Sequence, residues 1–358
     1  MLPKSNNRIE SLDYLRGLAA VGIMVYHMQL LNFGEVDASS VLGKIKIYGV
    51  SIFYILSGLT LYKVYAQKFS TDRVGDFYKK RIFRIVPLLW LVTVLTYLLE
   101  PDAVISLKKL VLNIAVLPGI IRPDVLIANG AWSIGNESCF YLFFPLVLLL
   151  SIRKKLYLWI AILISFILFV YFSYKVIDPS SPLGAQWANY VNPFNQIFFF
   201  LMGLGIGSLN HPSKVMVKAA PLMSILFLTA LFLYQIHGEP VNLISGTNRM
   251  VLSAFVIAAC YFIYLGDFSF LPGMVRSALK FLGETSYSIY LLHPIIYLVL
   301  KQLLGKFFVV SPYVLVALTI TLTLIISYFV YRFFEQYFIS LGKRKINFSG
   351  ILKVNKAV

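Results

Sequence analysis

The stretch LDYLRGLAAVGIMVYHMQLL, residues 12–31, has the length and apolar character of a membrane-spanning helix. A span needs about 20 mostly apolar residues to cross the hydrocarbon core of a bilayer. Two basic side chains, Arg16 and His27, nevertheless lie inside it. A cleaved signal peptide would have an uncharged core and a small-x-small cleavage site after it, and this segment has neither. We therefore predict a retained first helix that has a function.

The apolar character extends along the whole chain. Of the 358 residues, 59% are hydrophobic and 13% are charged, whereas a soluble domain has about 45–50% and about 25%. These proportions predict an all-α fold, a polytopic membrane helix bundle of about ten transmembrane helices. The predicted spans lie near residues 14–32, 47–66, 85–100, 132–151, 156–174, 194–210, 219–237, 248–266, 281–300 and 312–334.

Two long connections separate the predicted spans. Segment 101–131 includes a half-helix around LVLNIAVLPGII, and we expect either an outside loop or a re-entrant element. Segment 175–193 is rich in Pro, Ser and Asn, which is typical of a loop. We expect one transmembrane domain over residues 1–345 and a short basic cytoplasmic tail over residues 346–358.

The charge is strongly positive, with 32 Lys and Arg against 15 Asp and Glu. Most basic residues fall in connections that would be cytoplasmic if the N-terminus were inside, as the positive-inside rule requires. We therefore predict a multi-pass protein of the cytoplasmic (inner) membrane with both termini in the cytoplasm. No aromatic and basic module of the nucleic-acid type interrupts the apolar segments. Cys139 and Cys260 lie in apolar runs, which predicts packing residues rather than a disulfide or a metal site.

Arg16 and His27 are eleven residues apart, and eleven steps of about 100° return to nearly the same helix face roughly 16 Å further along. Ionisable groups inside a span are costly and usually functional. Histidine suits general acid–base or nucleophilic chemistry. We interpret Arg16 as a group at the cytoplasmic mouth and His27 as a catalytic residue near mid-membrane. The alternative is that Arg16 only snorkels and that His27 is a hydrogen-bonded core residue.

A basic run, KKRIFR at residues 79–84, precedes the predicted third span. Arg81 and Arg84 are three residues apart and share a helix face, and guanidinium groups match phosphate oxygens. We expect both to point into the cytoplasmic mouth near Arg16, with Pro87 in the first turn of the span. The alternative is an ordinary basic cluster at the membrane edge.

Several other polar residues interrupt the apolar runs. In WSIGNES, residues 132–138, Glu137 would orient a histidine or bind a sugar hydroxyl; alternatively, this segment caps a helix N-terminus. Ser57-Gly58 favours close helix packing. His293 would take a proton from a hydroxyl or serve a structural role, and Glu335 would form an ion pair with Arg332 or with another arginine at the mouth.

Five blocks of the sequence, in the same order, resemble the acyltransferase-3 family of membrane acyltransferases over most of the chain. The blocks are LDYLRGLAAVGIMVYH, GVSIFYILSG, RIFRIVP, WSIGNESCFYLFFP and LGETSYSIYLLHP. Two departures are that Ile134 replaces leucine in the family's WSL-x-x-E block and that FFEQYF, which contains Glu335, lacks the proline of many relatives. We expect a stand-alone form without the esterase-like domain of longer relatives.

The resemblance implies an O-acyltransferase of the bacterial cell envelope. Its donor would be an acyl-coenzyme A, usually acetyl-CoA, bound from the cytoplasm, and its acceptor a hydroxyl of an extracytoplasmic or lipid-linked glycan. It implies no metal and is compatible with a homo-oligomer. The matching positions imply donor binding by Arg16, Arg81 and Arg84, catalysis by His27 and Glu137, and acceptor or structural roles for Ser57, Tyr287, His293 and Glu335. We expect donor and histidine to meet in a single chamber.

Functions of other classes would use the same residues. A secondary transporter or flippase for an anionic solute could combine cytoplasmic arginines with a mid-membrane histidine, although the sequence shows no inverted repeat of the kind such transporters carry. A structural subunit of an envelope complex would tolerate replacement of Arg16 and His27.

Overall fold

The structure, a computed structural model, describes residues 9–100, 107–115, 119, 125–128, 130–209 and 212–344. Each of the ten predicted spans coincides with a helix. In chain order the helices of these ranges are α1 (Glu10–Phe33), α2 (Val41–Tyr65), α3 (Val74–Leu99), α4 (Leu107–Ile114), α5 (Trp132–Arg153), α6 (Lys155–Tyr171), α7 (Trp187–Tyr190), α8 (Pro193–Ser208), α9 (Lys214–Leu233), α10 (Gly246–Leu265), α11 (Gly273–Gly305), α12 (Pro312–Phe329) and α13 (Gln336–Lys343). Eight helical segments of the described chain are long and apolar enough to cross a membrane. The prediction of an all-α, multi-pass membrane protein is confirmed.

The two remaining spans, α1 and α8, are either polar or short. Helix α1 carries Asp13 and Arg16, and α8 has 16 residues. At 1.5 Å per residue α8 is about 24 Å long, whereas the hydrocarbon core is about 30 Å thick. Both helices are mostly buried among their neighbours. Because protein rather than lipid surrounds them, a polar or short helix is tolerated there.

Helix α3 begins earlier than the sequence predicts, at Val74 rather than near residue 85. The basic run at residues 79–84 is therefore helical, and the prediction that placed Pro87 in the first turn is wrong, since Pro87 lies in the helix interior. The physical reason is that hydropathy marks only the lipid-embedded part of a helix. Lys and Arg are good helix formers, so the helix continues beyond the apolar stretch.

Glycines let the central helices approach closely. Gly17 of α1 faces Gly283 of α11, and a Cβ atom on Gly17 would lie 2.6 Å from the backbone nitrogen of Gly283. Gly58 of α2 and Gly203 of α8 form a second crossing, where a Cβ on either residue would overlap a backbone carbonyl of the facing helix. Small residues at such crossings allow close packing of helices in membranes. The predicted packing role is thus confirmed for Gly58.

Helix α5 begins inside the bundle rather than at its edge. The Tyr54 hydroxyl donates to the carbonyl oxygen of Ser133 over 3.3 Å, and Tyr54 lies about 20 Å along α2 from its first residue at 1.5 Å per residue. The preceding residues Ile127 and Ala128 are buried. Much of segment 101–131 lies outside the described residues, and its two alternatives, an outside loop and a re-entrant element, stay predictions.

The predicted loop at residues 175–193 folds back onto the start of α5. It contains a 3₁₀ turn, Leu183–Gln186, followed by α7. The Asn136 side chain donates to the carbonyl oxygen of Val191 over 2.9 Å, and the aromatic rings of α7 contact Trp132. This loop therefore helps to form the interior of the bundle at one end.

The outer surface is apolar on the peripheral helices, where Leu163, Leu222 and Ile325 are exposed. A surface of this kind suits a lipid bilayer as the solvent. Cys139 and Cys260 are free cysteines, and both are buried, as expected of packing residues. The predicted basic tail lies outside the described residues.

Candidate active site

Six of the predicted site residues line one cavity. This cavity of about 220 Å³ lies between α1, α2, α3, α5 and α11. Apolar side chains, among them Phe53, Leu61 and Ile85, complete its wall. We call it the arginine cavity, and the six predicted residues in its lining are Arg16, Ser57, Arg81, Arg84, Glu137 and Tyr287.

Arg16 is fixed in the cavity wall by a buried ion pair. Its Nη1 lies 3.0 Å from Oδ1 of Asp13, one turn earlier on α1. Its Nη2 lies 3.5 Å from the Thr60 hydroxyl of α2. Only 18% of the Arg16 side chain and 7% of the Asp13 side chain are exposed. Since removal of either partner would leave a buried charge, Asp13 acts as the counter-ion of Arg16.

Arg81 and Arg84 approach the same cavity from α3. The guanidinium carbon of Arg81 lies 5.8 Å from the ring centre of Tyr141 and 5.9 Å from that of Phe77. Its Nε is buried and has no hydrogen-bond partner among the described residues. Within the described chain, neither Arg81 nor Arg84 has a carboxylate within 4 Å. Their donors are therefore available to an anion that enters the cavity.

Glu137 belongs to a hydrogen-bonded group on the wall of the arginine cavity. Its carboxylate accepts a hydrogen bond from the Ser57 hydroxyl over 2.6 Å and a short one from the Tyr141 hydroxyl. The hydroxyls of Ser57 and Tyr141 are themselves 2.8 Å apart. The alternative of a helix cap is not observed, because the residue before α5 is Ala131 and no side chain caps that helix. Glu137 therefore organises the wall beneath Arg81.

Tyr287 and Glu335 are held by neighbouring helices. The Tyr287 hydroxyl donates to a backbone carbonyl of α3 over 2.7 Å. Glu335 is buried and accepts a short hydrogen bond from the Ser288 hydroxyl. In the described chain Glu335 has no cation within 4 Å, so the expected ion pair with Arg332 is not formed.

His27 and His293 face each other between α1 and α11. Nδ1 of His27 lies 2.7 Å from Nε2 of His293, and Nδ1 of His293 lies 2.9 Å from the carbonyl oxygen of Ile289. A carbonyl oxygen only accepts, so we assign the His293 proton to Nδ1, which makes its Nε2 an acceptor. Nδ1–H of His27 then donates to His293, and Nε2 of His27 keeps its lone pair. This is the tautomer that a general base or nucleophile needs.

His27 lines a second cavity, which we call the histidine cavity. It has a volume of about 180 Å³ and lies on the other side of Tyr290, which lines both cavities. The Tyr290 hydroxyl is 2.8 Å from the Ser133 hydroxyl and 2.8 Å from the carbonyl oxygen of Gly130. The sequence predicts a single chamber, and in the structure two cavities share the side chain of Tyr290. The size of the Tyr290 side chain cannot be inferred from the helical spacing of polar residues.

Sequence reasoning missed two features of the site. It did not find Tyr290 as the shared wall, and it did not pair His293 with His27. A signal for both was present, because Ser286, Tyr290 and His293 recur at helical spacing on α11. Ser286 and Tyr290 line the arginine cavity, and His293 contacts His27 one turn further along.

Comparison with known proteins finds one matching family model and several related proteins. A family model described as an acyltransferase domain matches residues 9–332. A Staphylococcus aureus (strain COL) protein named "Putative O-acetyltransferase" is 24% identical over 381 residues, which cover 96% of this chain and 59% of that protein. Acyltransferase MdmB of Streptomyces mycarofaciens is 26% identical over 330 residues, which cover 82% of this chain and 80% of that protein.

The chain thus spans about 59% of the length of its Staphylococcus aureus relative. No solved structure matches the chain. The family model nevertheless covers nearly all of the described helices, including both cavities. The chain therefore belongs to the acyltransferase-3 family of membrane acyltransferases.

Proposed function

We propose that this protein transfers an acyl group, in the first place acetyl, from cytoplasmic acyl-CoA to a hydroxyl of an extracytoplasmic or lipid-linked glycan. One observation carries the proposal. Three arginines from α1 and α3 converge on a cavity that shares Tyr290 with the cavity of His27. A site for an anionic donor thus adjoins a histidine in the tautomer of a base.

Coenzyme A fits the arginine cavity by its chemistry. Its phosphates are matched by the guanidinium groups of Arg16, Arg81 and Arg84, because planar forks of donors bind phosphate oxygens in pairs. The unpartnered Nε of Arg81 is one such donor. The apolar wall formed by Phe53, Leu61 and Ile85 suits the pantetheine arm. The thioester would then reach Tyr290 at the far end of the cavity.

The orientation that we propose combines this arrangement with the distribution of basic residues along the chain. The arginine cavity lies towards the first turns of α1 and the last turns of α2, and His27 lies in the second half of α1. With both termini in the cytoplasm, as the charge distribution favours, the arginines face the cytoplasmic CoA pool. The histidine cavity then faces the opposite side of the inner membrane, where surface glycans are found.

The chemical step is a transfer of the acyl group from sulfur to oxygen. Nε2 of His27 takes the proton of the acceptor hydroxyl, and the oxygen attacks the thioester carbonyl. The C–S bond breaks as the new C–O ester bond forms, and the proton on His27 passes to the leaving CoA sulfur. The same lone pair could instead attack the thioester and carry the acyl group. His293 accepts the Nδ1–H bond in either case and so positions the ring.

Glu137 has a role on the donor side in this scheme. It accepts hydrogen bonds from Ser57 and Tyr141 in the wall of the arginine cavity. The ring of Tyr141 in turn lies 5.8 Å from the Arg81 guanidinium carbon. Glu137 therefore positions the groups that grip the donor. Membership in an acyltransferase family also weighs against the alternative of a transporter or flippase.

The test is transfer across a sealed membrane. The protein is reconstituted into vesicles that carry bacterial lipid-linked glycans, and acetyl-CoA with a labelled acetyl group is added to the side of the basic connections. Label should appear on the glycan fraction, and His27→Ala should lower the rate by about 10²- to 10⁴-fold. Undiminished labelling by His27→Ala, or no labelling of any glycan by the wild-type protein, would overturn the proposal.

A further inference from the structure

The histidine cavity is lined by a cluster of three aromatic rings. Trp132 lies at the start of α5, and Trp187 and Tyr190 lie in α7. The ring centres are 5.7 Å apart for the two tryptophans, and each tryptophan is 5.4 Å from Tyr190. The rings are tilted or edge-to-face, a favourable arrangement that fixes them against one another. They form a rigid aromatic wall near His27.

A polar group lines the same cavity. Nζ of Lys46 lies 2.7 Å from Oε2 of Glu35 in an ion pair. The Tyr26 hydroxyl donates to Oε1 of Glu35 over 3.1 Å. About 44% of the Glu35 side chain is exposed, against 13% of Lys46. A carboxylate and an ammonium group side by side offer both an acceptor and donors to a ligand, with little net charge between them.

We propose that the histidine cavity binds the acceptor as a carbohydrate ring that packs on Trp132, Trp187 and Tyr190. Two of the ring hydroxyls bond to Glu35 and Lys46. This places another hydroxyl against Nε2 of His27. The inference rests on the proposed function, since it takes His27 as the group that activates the acceptor.

The chemistry of the lining favours a carbohydrate over other acceptors. The C–H face of a pyranose carries a slight positive charge and packs well on an aromatic ring, whose face is negative. A hydroxyl both donates and accepts, so it pairs equally well with Glu35 and Lys46. An aliphatic alcohol would leave this ion pair without ligand contacts. An anionic acceptor would be repelled by Glu35, which also neutralises Lys46.

Tryptophan fluorescence tests the inference without relying on activity. The chain has 4 tryptophans, of which Trp90 and Trp159 face outward and are 46% and 42% exposed. The double variant Trp90→Phe/Trp159→Phe leaves Trp132 and Trp187 as reporters of the cavity. It is purified in a detergent without a sugar head group and titrated with methyl glycosides of glucose, galactose, mannose, rhamnose and N-acetylglucosamine. Cyclohexanol, a ring of similar size with one hydroxyl, is the control.

We expect a saturable fluorescence change with at least one glycoside and none with cyclohexanol. Glu35→Gln should weaken the glycoside response at least tenfold. Asp37→Asn is the matched control, since Asp37 is two residues away, bonds to the backbone of Gly238 and does not line the cavity. An equal response to cyclohexanol, no response to any glycoside, or equal effects of the two acid variants would each overturn the inference.

The two proposals fail in different ways. If the glycoside response is present but acetyl-CoA neither stabilises the protein nor labels a glycan, the donor chemistry is wrong and the carbohydrate site stands. If glycans are labelled but the glycoside response is absent, the acyl transfer stands and the acceptor is held elsewhere. Trp187→Ala, which removes part of the aromatic wall, should then leave the acceptor KM unchanged rather than raise it.

Discussion

Nδ1 of His27 lies 2.7 Å from Nε2 of His293, and this contact assigns opposite roles to the two rings. His293 is buried and anchored to the carbonyl oxygen of Ile289, so its other nitrogen accepts a hydrogen bond from His27. His27 lines the histidine cavity with its other nitrogen available. The pair resembles the general case in which one group orients the working histidine through its second nitrogen.

Replacement of His293 should therefore impair catalysis without impairing donor binding. His293→Leu removes the acceptor for the His27 Nδ1 proton, and His27 can then rotate or adopt the other tautomer. We expect kcat to fall about 10- to 100-fold, as when orienting partners of metal-bound histidines are removed. The KM for acetyl-CoA should stay unchanged. Steady-state kinetics with purified protein measure both quantities.

The matched variant is His293→Gln, whose side-chain oxygen can replace Nε2 as the acceptor. We expect it to recover most of the kcat that His293→Leu loses. If both variants lose the same activity, or if neither loses any, His293 has no orienting role. A structural role alone would lower the thermal stability of both variants together with their activity.

Donor binding should depend on Arg81 and Arg84. Each of Arg81→Ala and Arg84→Ala removes charge-assisted hydrogen bonds worth about 1.5–3 kcal/mol, which corresponds to about 10- to 100-fold weaker binding of CoA. Thermal stabilisation of the purified protein by CoA measures the change. The wild-type stabilisation should also decline as salt increases, because salt screens the phosphate contacts.

The control for these variants is Arg73→Ala. Arg73 is exposed in the short turn Thr71–Arg73 before α3 and does not line the arginine cavity. It carries the same charge and lies two to three turns from Arg81 and Arg84. Equal losses of CoA stabilisation in all three variants would mean that the bundle end binds CoA through its general positive charge rather than through the cavity.

Glu137 offers a test between its two assigned roles. Glu137→Ala leaves the hydroxyls of Ser57 and Tyr141 without their acceptor, and an unpaired buried polar group costs about 1–3 kcal/mol. Because these groups line the arginine cavity, we expect kcat/KM for acetyl-CoA to fall about 10- to 100-fold, with Glu137→Gln intermediate. If kcat falls while donor binding is unchanged, Glu137 acts instead by orienting His27.

Much of the donor side could be predicted from the sequence. Arg16 and His27 lie on one helix, and Arg81 and Arg84 lie on another. At these spacings, the two residues of each pair lie on the same face of their helix. Contacts between different helices were harder to predict from the sequence. The pairing of His27 with His293 joins residues far apart in the chain, and the position of Glu137 depends on the depth at which α5 begins.

The fold, too, could be predicted from the sequence only in part. Apolar stretches predict every long helix, because in lipid each segment must pair the hydrogen-bonding groups of its own backbone. Helix ends are less well predicted, since residues 74–84 are helical outside the apolar run. The inward loop with α7 carries no apolar signal of membrane length. It nevertheless supplies Trp187 and Tyr190 to the histidine cavity.

The close crossing of α2 and α8 should make Gly58 critical for stability. A methyl group on Gly58 would overlap a backbone carbonyl of α8, and a backbone cannot move aside without separating the two helices. Overpacking of this kind costs about 1–3 kcal/mol, so Gly58→Ala should lower the unfolding temperature in detergent. Gly75→Ala is the control, since its added methyl group meets nothing within 4 Å. Because Ser57 is adjacent and bonds to Glu137, Gly58→Ala should also weaken stabilisation by CoA. An unchanged unfolding temperature would show that the two helices are not in contact at Gly58.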